Sequence, residues 1–339
     1  MTNPTIKDVA KAANVSIATV SLVIHNHKRI SSETKQKVLE TIAALNYHPS
    51  RSARGLVSRK TGNIGFILTH DHFLRTEPFY TQIFMGTEFE AGENELYVLL
   101  TTIDSNFHEG DSLPRFILER NVDGIIIAGK VPSLLTEKLS NYNMPIVFID
   151  YCPSNMKVPT VAVDNLQGGI LATQHLIELG HRKIAFIGGD IKHPSIQDRY
   201  NGYKLALEKY HITFAERLTD TDEDYPARIN GYNAARKIFS RNNDVSAVFA
   251  CNDAMAVGVI QYLKDIGKQI PNDISVIGFD DVVSENSVTP PLSTVRVPKM
   301  EMGVEAMRLI SSLVKDNSNN HKKILINVEL IVRQSTKKL

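Results

Sequence analysis

The chain has 339 residues, of which 42% are apolar and 22% are charged, and it contains two cysteines. This composition is typical of globular proteins with more than one domain, and it excludes a disulfide-rich secreted scaffold. No apolar run approaches the ~18 residues of a membrane span, and no early segment resembles a signal peptide. We therefore expect a cytoplasmic protein without a membrane partner.

Charge is distributed unevenly along the chain. Residues 1–60 contain ten Lys and Arg residues and three Asp and Glu residues, whereas the remainder contains 28 and 34, respectively. A basic head on an acidic body favours a polyanion as partner of the head. A solvated basic tail is the alternative.

Three short amphipathic helices are predicted at the start of the chain. Thr5 and Asp8 have the spacing of a capping box, and Ser16 and either Ser31 or Ser32 can cap the second and third helices. The turn between the first two helices is about three residues long, as in a helix-turn-helix unit.

The second helix of such a unit reads DNA in the major groove through its N-terminal residues. Here the residues expected to point outward are Ile17, Ala18, Ser21 and Leu22. A three-helix bundle that binds another protein is the alternative. The basic charge of the segment argues against it.

A basic linker, YHPSRSARGLVSRKTGN, follows at residues 47–63. Residues 50–56 can form one or two helical turns, although Gly55 costs such a helix about 1 kcal/mol relative to alanine. An isolated helix this short is not stable in water. We expect it to become ordered only against a phosphate-lined groove.

Residues 5–60 resemble the DNA-binding headpiece of the LacI/GalR family of bacterial transcription regulators. The resemblance is carried by T-I-K-D-V-A, by V-S-x-x-T-V-S at residues 15–21, by I-S-S-E-T-K-Q-K-V-L-E and by L-N-Y-H-P-S-R-S-A-R-G-L. It implies that the linker folds into a hinge helix on the operator. Leu56 would then enter the minor groove, where an apolar wedge kinks the duplex.

The resemblance also implies that Ile17, Ala18 and Leu22 read base edges. Position 22 is often arginine in the family, and leucine suits a thymine methyl group rather than guanine. Phosphate contacts, which position the duplex without specifying its sequence, are predicted for Thr19, Ser21, Asn26, Arg29, Ser31, Thr34 and Tyr47. The full predicted DNA-binding set is Thr5, Ser16, Ile17, Ala18, Thr19, Ser21, Leu22, Asn26, Arg29, Ser31, Thr34, Tyr47, Arg51, Ala53 and Leu56.

Beyond residue 62, short Val- and Ile-rich runs alternate with helical stretches, which predicts parallel sheets covered on both faces. The predicted strands are 64–68, 97–100, 124–128, 146–149, 184–187, 247–250 and 275–278. Examples of predicted helices are 79–91, 166–179, 197–209, 228–240 and 253–266.

The runs NIGFIL (63–68) and KIAFIG (183–188) open two similar sets of strands, which indicates two lobes with a cleft at the strand ends. Residues 62–339 resemble the effector-binding core of the same family, which implies three crossings between lobes. We predict an all-α helix-turn-helix headpiece and an α/β two-lobed, periplasmic-binding-protein-like core with two open parallel sheets. The predicted domains are 1–49 (headpiece), 50–61 (hinge) and 62–339 (core), with lobe 1 at about 62–161 plus 292–323 and lobe 2 at about 163–290 plus 325–339.

Polar residues at strand ends are the candidates for effector binding. The resemblance places Asp150, Arg199, Asn252 and Asp280 at effector-binding positions, where carboxylates accept hydrogen bonds from hydroxyls and arginine donates them. Phe79, Tyr80 and Tyr225 can offer an apolar face to a sugar ring, and His70 lies at the predicted cleft edge. Each strand-end carboxylate can instead cap a helix, and Asp253 and Asp281 are assigned that structural role.

No catalytic constellation, cofactor fingerprint or metal-ligand spacing is evident, so we predict no cofactor and no enzymatic activity. The sequence predicts a cytoplasmic, nucleoid-associated regulator, a repressor of carbohydrate-related genes. It would bind a pseudo-palindromic operator as a homodimer under control of a small-molecule effector. The expected interface helices are 79–90 and 111–120, and the absence of an apolar heptad tail favours a dimer over a tetramer. A stand-alone sugar-binding protein is the alternative, and an enzyme on the same fold is a third possibility.

Overall fold

The structure is a computed structural model that describes residues 4–24, 27, 29–47, 60–73, 78–153, 157–242, 244–282, 288–316 and 322–339. Two compact units are present, residues 1–62 and 63–339. We call the first the headpiece and the second the core.

The headpiece contains three helices, α1 (Ile6–Ala12), α2 (Ile17–Ile24) and α3 (Ser32–Ala44). Asp8 accepts hydrogen bonds from the backbone N–H and the hydroxyl of Thr5, in the predicted capping box. The hydroxyl oxygens of Ser16 and Ser31 accept from backbone N–H groups three residues later, at 3.0 and 3.3 Å. These bonds satisfy amides that a helix start leaves unpaired. The small core consists of Val9, Ala10, Ala13, Val20, Val23, Val38 and Tyr47.

Several predicted DNA-binding residues lie outside the part of the chain that the structure describes. They are Asn26, Arg51, Ala53 and Leu56, and the last three belong to the predicted hinge. The hinge therefore stays a prediction.

The core alternates strands with helices. Its strands are β1 (Asn63–Thr69), β2 (Tyr97–Ile103), β3 (Gly124–Ala128), β4 (Ile146–Ile149), β5 (Thr160–Val163), β6 (Ile184–Ile187), β7 (Thr219–Asp220), β8 (Ala247–Ala250), β9 (Ser275–Ile277), β10 (Thr294–Arg296), β11 (Lys323–Ile326) and β12 (Glu329–Ile331). Its α-helices are α4 (His70–Phe73), α5 (Phe79–Glu93), α6 (Arg115–Leu118), α7 (Ser133–Ser140), α8 (Asn165–Glu178), α9 (Pro194–Lys209), α10 (Arg228–Arg241), α11 (Asp253–Asp265) and α12 (Lys299–Asp316).

Two parallel sheets form the two lobes. The first has the strand order β11-β5-β4-β3-β1-β2, and the second has the order β7-β6-β8-β9. Central strands such as β3 and β8 are buried along their whole length, because helices cover both sheet faces. The predicted fold class is confirmed.

The strand pairing differs from the predicted lobe boundaries at the second and third crossings. β10 pairs with β12, and isolated bridges join Ser293 to Ile277 and Arg296 to Asp280, so residues 293–296 lie with the second lobe rather than the first. β11 pairs with β5 and extends the first sheet to residue 326. Apolar periodicity does not reveal this, because both assignments rest on pairing between strands distant in sequence.

Three helix pairs of the core meet through glycine backbone. In each pair, a Cβ atom built on the glycine of one helix would lie 2.0–2.3 Å from a carbonyl oxygen of the other, and the reverse also holds. Glycine is therefore required at these crossings, since real Cβ atoms do not approach oxygen so closely. The contacts are Gly86–Met300 and Gly303–Ile83 between α5 and α12, Gly169–Arg199 and Gly202–Leu166 between α8 and α9, and Gly231–Met255 and Gly258–Arg228 between α10 and α11.

Among the helices that the structure describes, none has the length and apolar character needed to cross a membrane.

Candidate functional site

The start of α2 presents the residues predicted to read bases. Ile17 is 45% exposed, Ser16 and Ala18 are also exposed, and Leu22 is partly buried one turn further along. The hydroxyls of Ser16 and Thr19 are 2.9 Å apart, as are those of Ser31 and Thr34. An exposed, mostly apolar helix start flanked by hydroxyls suits van der Waals contact with base edges and hydrogen bonds to phosphates.

Tyr47 differs from the other predicted phosphate contacts. Its side chain is only 7% exposed and belongs to the headpiece core. Thr5, Ser31 and Arg29 are exposed. Tyr47 therefore packs within the headpiece, and a contact between its hydroxyl and a DNA phosphate stays a prediction.

The core contains a cavity of about 620 Å³ that both lobes line. That volume suits a small-molecule ligand, for which cavities of roughly 300–1,000 Å³ are usual. Every predicted effector residue except His70 lines it. The residues around it are His72, Phe79, Tyr80, Lys130, Asp150, Asp190, His193, Ser195, Ile196, Arg199, Asp224, Tyr225, Pro226, Ala227, Arg228, Ile229, Asn252, Ala254, Asp280 and Val282.

Arg199 is the most strongly braced of these side chains. Its Nε donates to Asn165 Oδ1 at 2.8 Å, and its Nη1 donates to the Cys251 carbonyl at 2.7 Å. Its Nη2 lies 3.3 Å from Asp280 Oδ1, and the guanidinium stacks 3.7 Å from the centre of the Phe279 ring. With 5% of its surface exposed, Arg199 is fixed before any ligand arrives.

Asp280 occupies a constrained turn at the end of the second sheet. It has a φ of 105°, and the next residue, Asp281, has a φ of 54°. Asp281 is paired with Arg296 and Arg333, both at 2.8 Å. Left-handed backbone at two consecutive non-glycine residues persists only where the surroundings enforce it. The turn therefore aims the Asp280 carboxylate at Arg199.

Asp150 closes β4 in the first lobe and contacts both lobes. Its Oδ2 accepts from the Tyr80 hydroxyl at 2.8 Å, and the Ser195 hydroxyl of α9 lies 3.3–3.4 Å from its carbonyl and Oδ1. The ring of His72 stacks on Tyr80, with centroids 4.5 Å apart. This carboxylate can accept further hydrogen bonds from a ligand hydroxyl.

The strand-end residues of the second lobe divide into two roles. Asn252 caps α11, since its Oδ1 accepts from the Met255 N–H at 2.8 Å, while its amide donates to the Pro226 carbonyl at 2.9 Å. Asp253 was predicted to cap a helix, but its carboxylate instead accepts from the Thr294 hydroxyl at 2.6 Å and the Val282 N–H at 2.9 Å. Burial, together with the charge of Asp280, raises the pKa of Asp253 to about 7.

The structure does not bring His70 to the cavity. His70 begins the one-turn helix α4 and is exposed, and His72, two residues later, lines the cavity instead. His70, Asp71 and His72 all follow β1 in sequence, at the predicted cleft edge. Their order in sequence does not show which of the two rings turns inward.

Several charged or polar lining residues were not predicted from the sequence, among them Lys130, Asp190 and His193. Lys130 follows β3, Asp190 follows β6, and their side chains pair across the two lobes at 3.7 Å. His193 precedes α9, and burial lowers its pKa. All three follow the carboxyl ends of parallel strands, so the rule that identified Asp150 would have identified them as well.

Comparison with known proteins agrees with these features. Residues 5–50 match the model for "Bacterial regulatory proteins, lacI family". Residues 173–336 match the model for a periplasmic binding protein-like domain. The two matches fall on the headpiece and on the core.

Similarity to curated relatives extends over nearly the whole chain. The chain is 31% identical to the HTH-type transcriptional repressor PurR of Mannheimia succiniciproducens over 99% of both chains, and 30% identical to the ribose operon repressor of Haemophilus influenzae over 98% of both. It matches the structure of the transcriptional regulator CelR in complex with cellobiose with a TM-score of 0.73 and 30% identity, covering 98% of this chain and 99% of that one. The chain therefore belongs to the lacI family of bacterial regulatory proteins and is a DNA-binding transcription repressor rather than an enzyme.

Proposed function

We propose that this repressor responds to a neutral, polyhydroxylated effector, a sugar or sugar derivative, bound in the core cavity. The observation that carries the proposal is the convergence of Asp150, Arg199 and Asp280 on one cavity shared by two lobes. Carboxylates accept from sugar hydroxyls, and a braced guanidinium donates to them in a fixed plane. Phe79, Tyr80 and Tyr225 supply rings along the same wall.

The charges around the cavity favour a neutral ligand over a phosphorylated one. Four aspartates line it, and two of its cations are already paired, Lys130 with Asp190 and Arg199 with Asp280. A phosphate group would meet more negative than positive charge. CelR was solved with cellobiose, and the ribose operon repressor is named for a sugar, which supports carbohydrate-related genes as the targets.

The effector class is tested by thermal unfolding with a fixed panel of D-ribose, D-glucose, cellobiose, ribose 5-phosphate and hypoxanthine. A ligand of the native state at 100 times its Kd adds about 2.7 kcal/mol to the unfolding free energy. We expect a rise in Tm with a neutral sugar that is lost in Arg199→Ala. A rise with only ribose 5-phosphate or hypoxanthine would refute the proposed effector class.

The headpiece is proposed to bind a pseudo-palindromic operator as a pair, with Ile17, Ala18 and Leu22 on base edges. The exposed helix start and the basic residues of the first 60 positions support this. The hinge at 50–61 would become ordered there, with Leu56 in the minor groove. Effector binding would change lobe closure and so determine whether the two hinges can pair. Such a protein would work in the cytoplasm, at the nucleoid.

Helix α5 is the proposed centre of the dimer interface. Met85 and Phe89 lie one turn apart on it and are 45% and 62% exposed, and Leu118 at the end of α6 is 51% exposed. Apolar side chains exposed in a row mark a contact surface, and a two-fold interface uses the same patch twice. Sedimentation of Phe89→Asp is expected to show monomers where the unmodified protein shows dimers.

Operator binding is tested by fluorescence anisotropy with DNA from upstream of the chain's own gene. We expect a specific complex whose affinity falls steeply with salt and which Leu56→Ala weakens. Binding of a sugar without specific binding to any palindromic fragment would favour the alternative, a stand-alone sugar-binding protein.

A further inference from the structure

A buried lysine, Lys299, lies at the junction of the two lobes and outside the effector cavity. Lys299 is the first residue of α12, and its side chain is 4% exposed. Its ammonium group donates to the backbone carbonyls of Asp280 at 2.5 Å, Val297 at 3.1 Å and Asp281 at 3.3 Å. Burying an ammonium ion is costly unless it is hydrogen-bonded, so these contacts fix where the group sits.

The acceptors of Lys299 belong to the turn that holds Asp280 in place. Both residues of that turn have left-handed backbone, and their carbonyls both point at the lysine. The Asp280 side chain lies in the cavity beside Arg199. One face of the turn thus contacts the effector site, and the other contacts Lys299.

The helix that carries Lys299 belongs to the first lobe. α12 packs against α5 through the Gly303–Ile83 and Gly86–Met300 contacts, where the two backbones approach without a glycine side chain between them. Phe79 and Tyr80, at the start of α5, line the cavity from the first lobe. The Lys299 ammonium is 6.0 Å from the centre of the Phe79 ring. Lys299 thus joins a second-lobe turn to two first-lobe helices.

The acidic groups around the ammonium favour its charged form despite its burial. Burial lowers the pKa of Lys299, while Asp280, Asp253 and Asp281 raise it. Three acidic neighbours favour the protonated form, which has three N–H donors for its three carbonyl acceptors. Methionine has a similar length but no donor, so it would remove all three ammonium hydrogen bonds. The Val297 carbonyl would keep the backbone N–H of Lys299 at 2.9 Å, and the Asp280 carbonyl would keep the longer bond from the Val297 N–H at 3.4 Å.

We propose that Lys299 is a positioning residue that ties the Asp280 turn to the α5–α12 pair, so that effector occupancy sensed at Asp280 is passed to the first lobe. The proposal rests on the proposed function, because it assigns to Lys299 the step between effector binding and the proposed dimer surface on α5. Lys299 itself does not line the cavity.

The proposal is tested by hydrogen exchange of full-length protein without DNA or sugar. The amides of Asp280, Val282 and Gln82 report on the two lobes, because each is hydrogen-bonded in the structure. In Lys299→Met we expect exchange at all three to be faster by about tenfold, since a tie between lobes protects both sides. Lys299→Arg keeps the donors and is expected to restore protection at Asp280 and Val282.

Two control variants separate this role from a general loss of stability. Lys315→Met removes an exposed lysine from the last turn of the same helix and is expected to change none of the three amides. Val259→Ala creates a cavity in α11 away from the turn and is expected to leave Gln82 protected.

Faster exchange confined to Gln82, or equal exchange in Lys299→Met and the unmodified protein, would overturn the proposal. A failure of the sugar panel above would refute the proposed effector instead, and the exchange pattern would still decide whether Lys299 joins the lobes.

Discussion

Gly169 lies so close to Arg199 that a Cβ atom on the glycine would be 2.3 Å from the arginine's carbonyl oxygen. The packing of α8 against α9 therefore sets the position of the arginine that lines the cavity. We expect Gly169→Ala to lower the free energy of unfolding by about 1–3 kcal/mol, because the helices must separate. It should also weaken sugar binding, which calorimetric titration will measure.

Gly92→Ala provides the matched control. Gly92 also lies in a helix, α5, but a Cβ there meets nothing within 4 Å. Alanine is expected to stabilise that helix by about 0.5–1 kcal/mol and to leave sugar affinity unchanged. Equal effects of the two substitutions would show that the α8–α9 contact does not position Arg199.

The fold could be predicted where local pattern is sufficient. Continuous apolar runs located β3, β4, β6 and β8 at their observed bounds, since a strand buried on both faces leaves this signature in sequence. The apolar pattern did not identify the short strand β10, because this strand is defined by its pairing with β12, more than 30 residues away. Local periodicity contains no information about such pairing.

The candidate site was predictable to a similar extent. Strand-end carboxylates are marked by their position, and two of them, Asp150 and Asp280, line the cavity. Position alone does not separate these from Asp253 and Asp281, which make structural contacts instead. Lys299 carried no comparable signal, because its acceptors are backbone carbonyls rather than side chains of a recognisable type. His72 was passed over for His70, since a one-turn helix gives too few residues to define a face.

The side chain at position 22 is expected to set which base pair the headpiece prefers there. A leucine makes no bidentate hydrogen bonds to guanine, whereas arginine does. We expect Leu22→Arg to shift the preferred base pair facing position 22 towards G·C, by about 1–3 kcal/mol per half-site. Selection of bound sequences from a randomised operator pool, done in parallel with the unmodified protein, will show the shift.

Ala43→Arg is the control for added charge. Ala43 is exposed on α3, so arginine there is expected to raise affinity for all duplexes without changing the selected sequence. If Leu22→Arg selects the same sequences as the unmodified protein, residue 22 does not face a base.

Because His181 is buried, we expect acid to destabilise the core. The ring is 2% exposed, with the hydroxyls of Ser246 and Ser275 at 3.0 Å and the Lys337 carbonyl at 3.2 Å. Burial lowers the pKa of His181 below its ordinary 6.5, although the bond to the Lys337 carbonyl opposes this. The unfolded chain then binds more protons than the folded one as pH falls through 6.5, so stability is complete above that pH and is lost below it.

Urea unfolding between pH 8 and pH 5 measures this effect. His175 and His193 also have lowered pKa values because they are buried, and they add to the slope. His181→Gln is expected to flatten the dependence below pH 6.5, with His211→Gln as an exposed control. An unchanged slope in His181→Gln would show that this ring is not a source of acid sensitivity.

We expect the losses of unfolding free energy caused by substituting Arg199 and Asp280 to be strongly non-additive. Removing one member of a buried ion pair leaves an uncompensated charge and costs about 3–5 kcal/mol. Arg199→Met additionally strands the Asn165 and Cys251 oxygens that the guanidinium now satisfies. We therefore expect Arg199→Met to be more destabilising than Asp280→Asn in urea unfolding at pH 7.

The double variant Arg199→Met/Asp280→Asn should be more stable than the sum of the single changes implies, by at least about 1 kcal/mol, because the second change removes the charge that the first left unpaired. Arg199→Met combined with Glu329→Gln, a 69% exposed side chain paired with Arg296, should be additive to within about 0.5 kcal/mol. Additivity in both cycles would mean that Arg199 and Asp280 are near each other without being energetically coupled. The guanidinium would then be held by Asn165, Cys251 and Phe279 alone, leaving the Asp280 carboxylate fully available to a ligand.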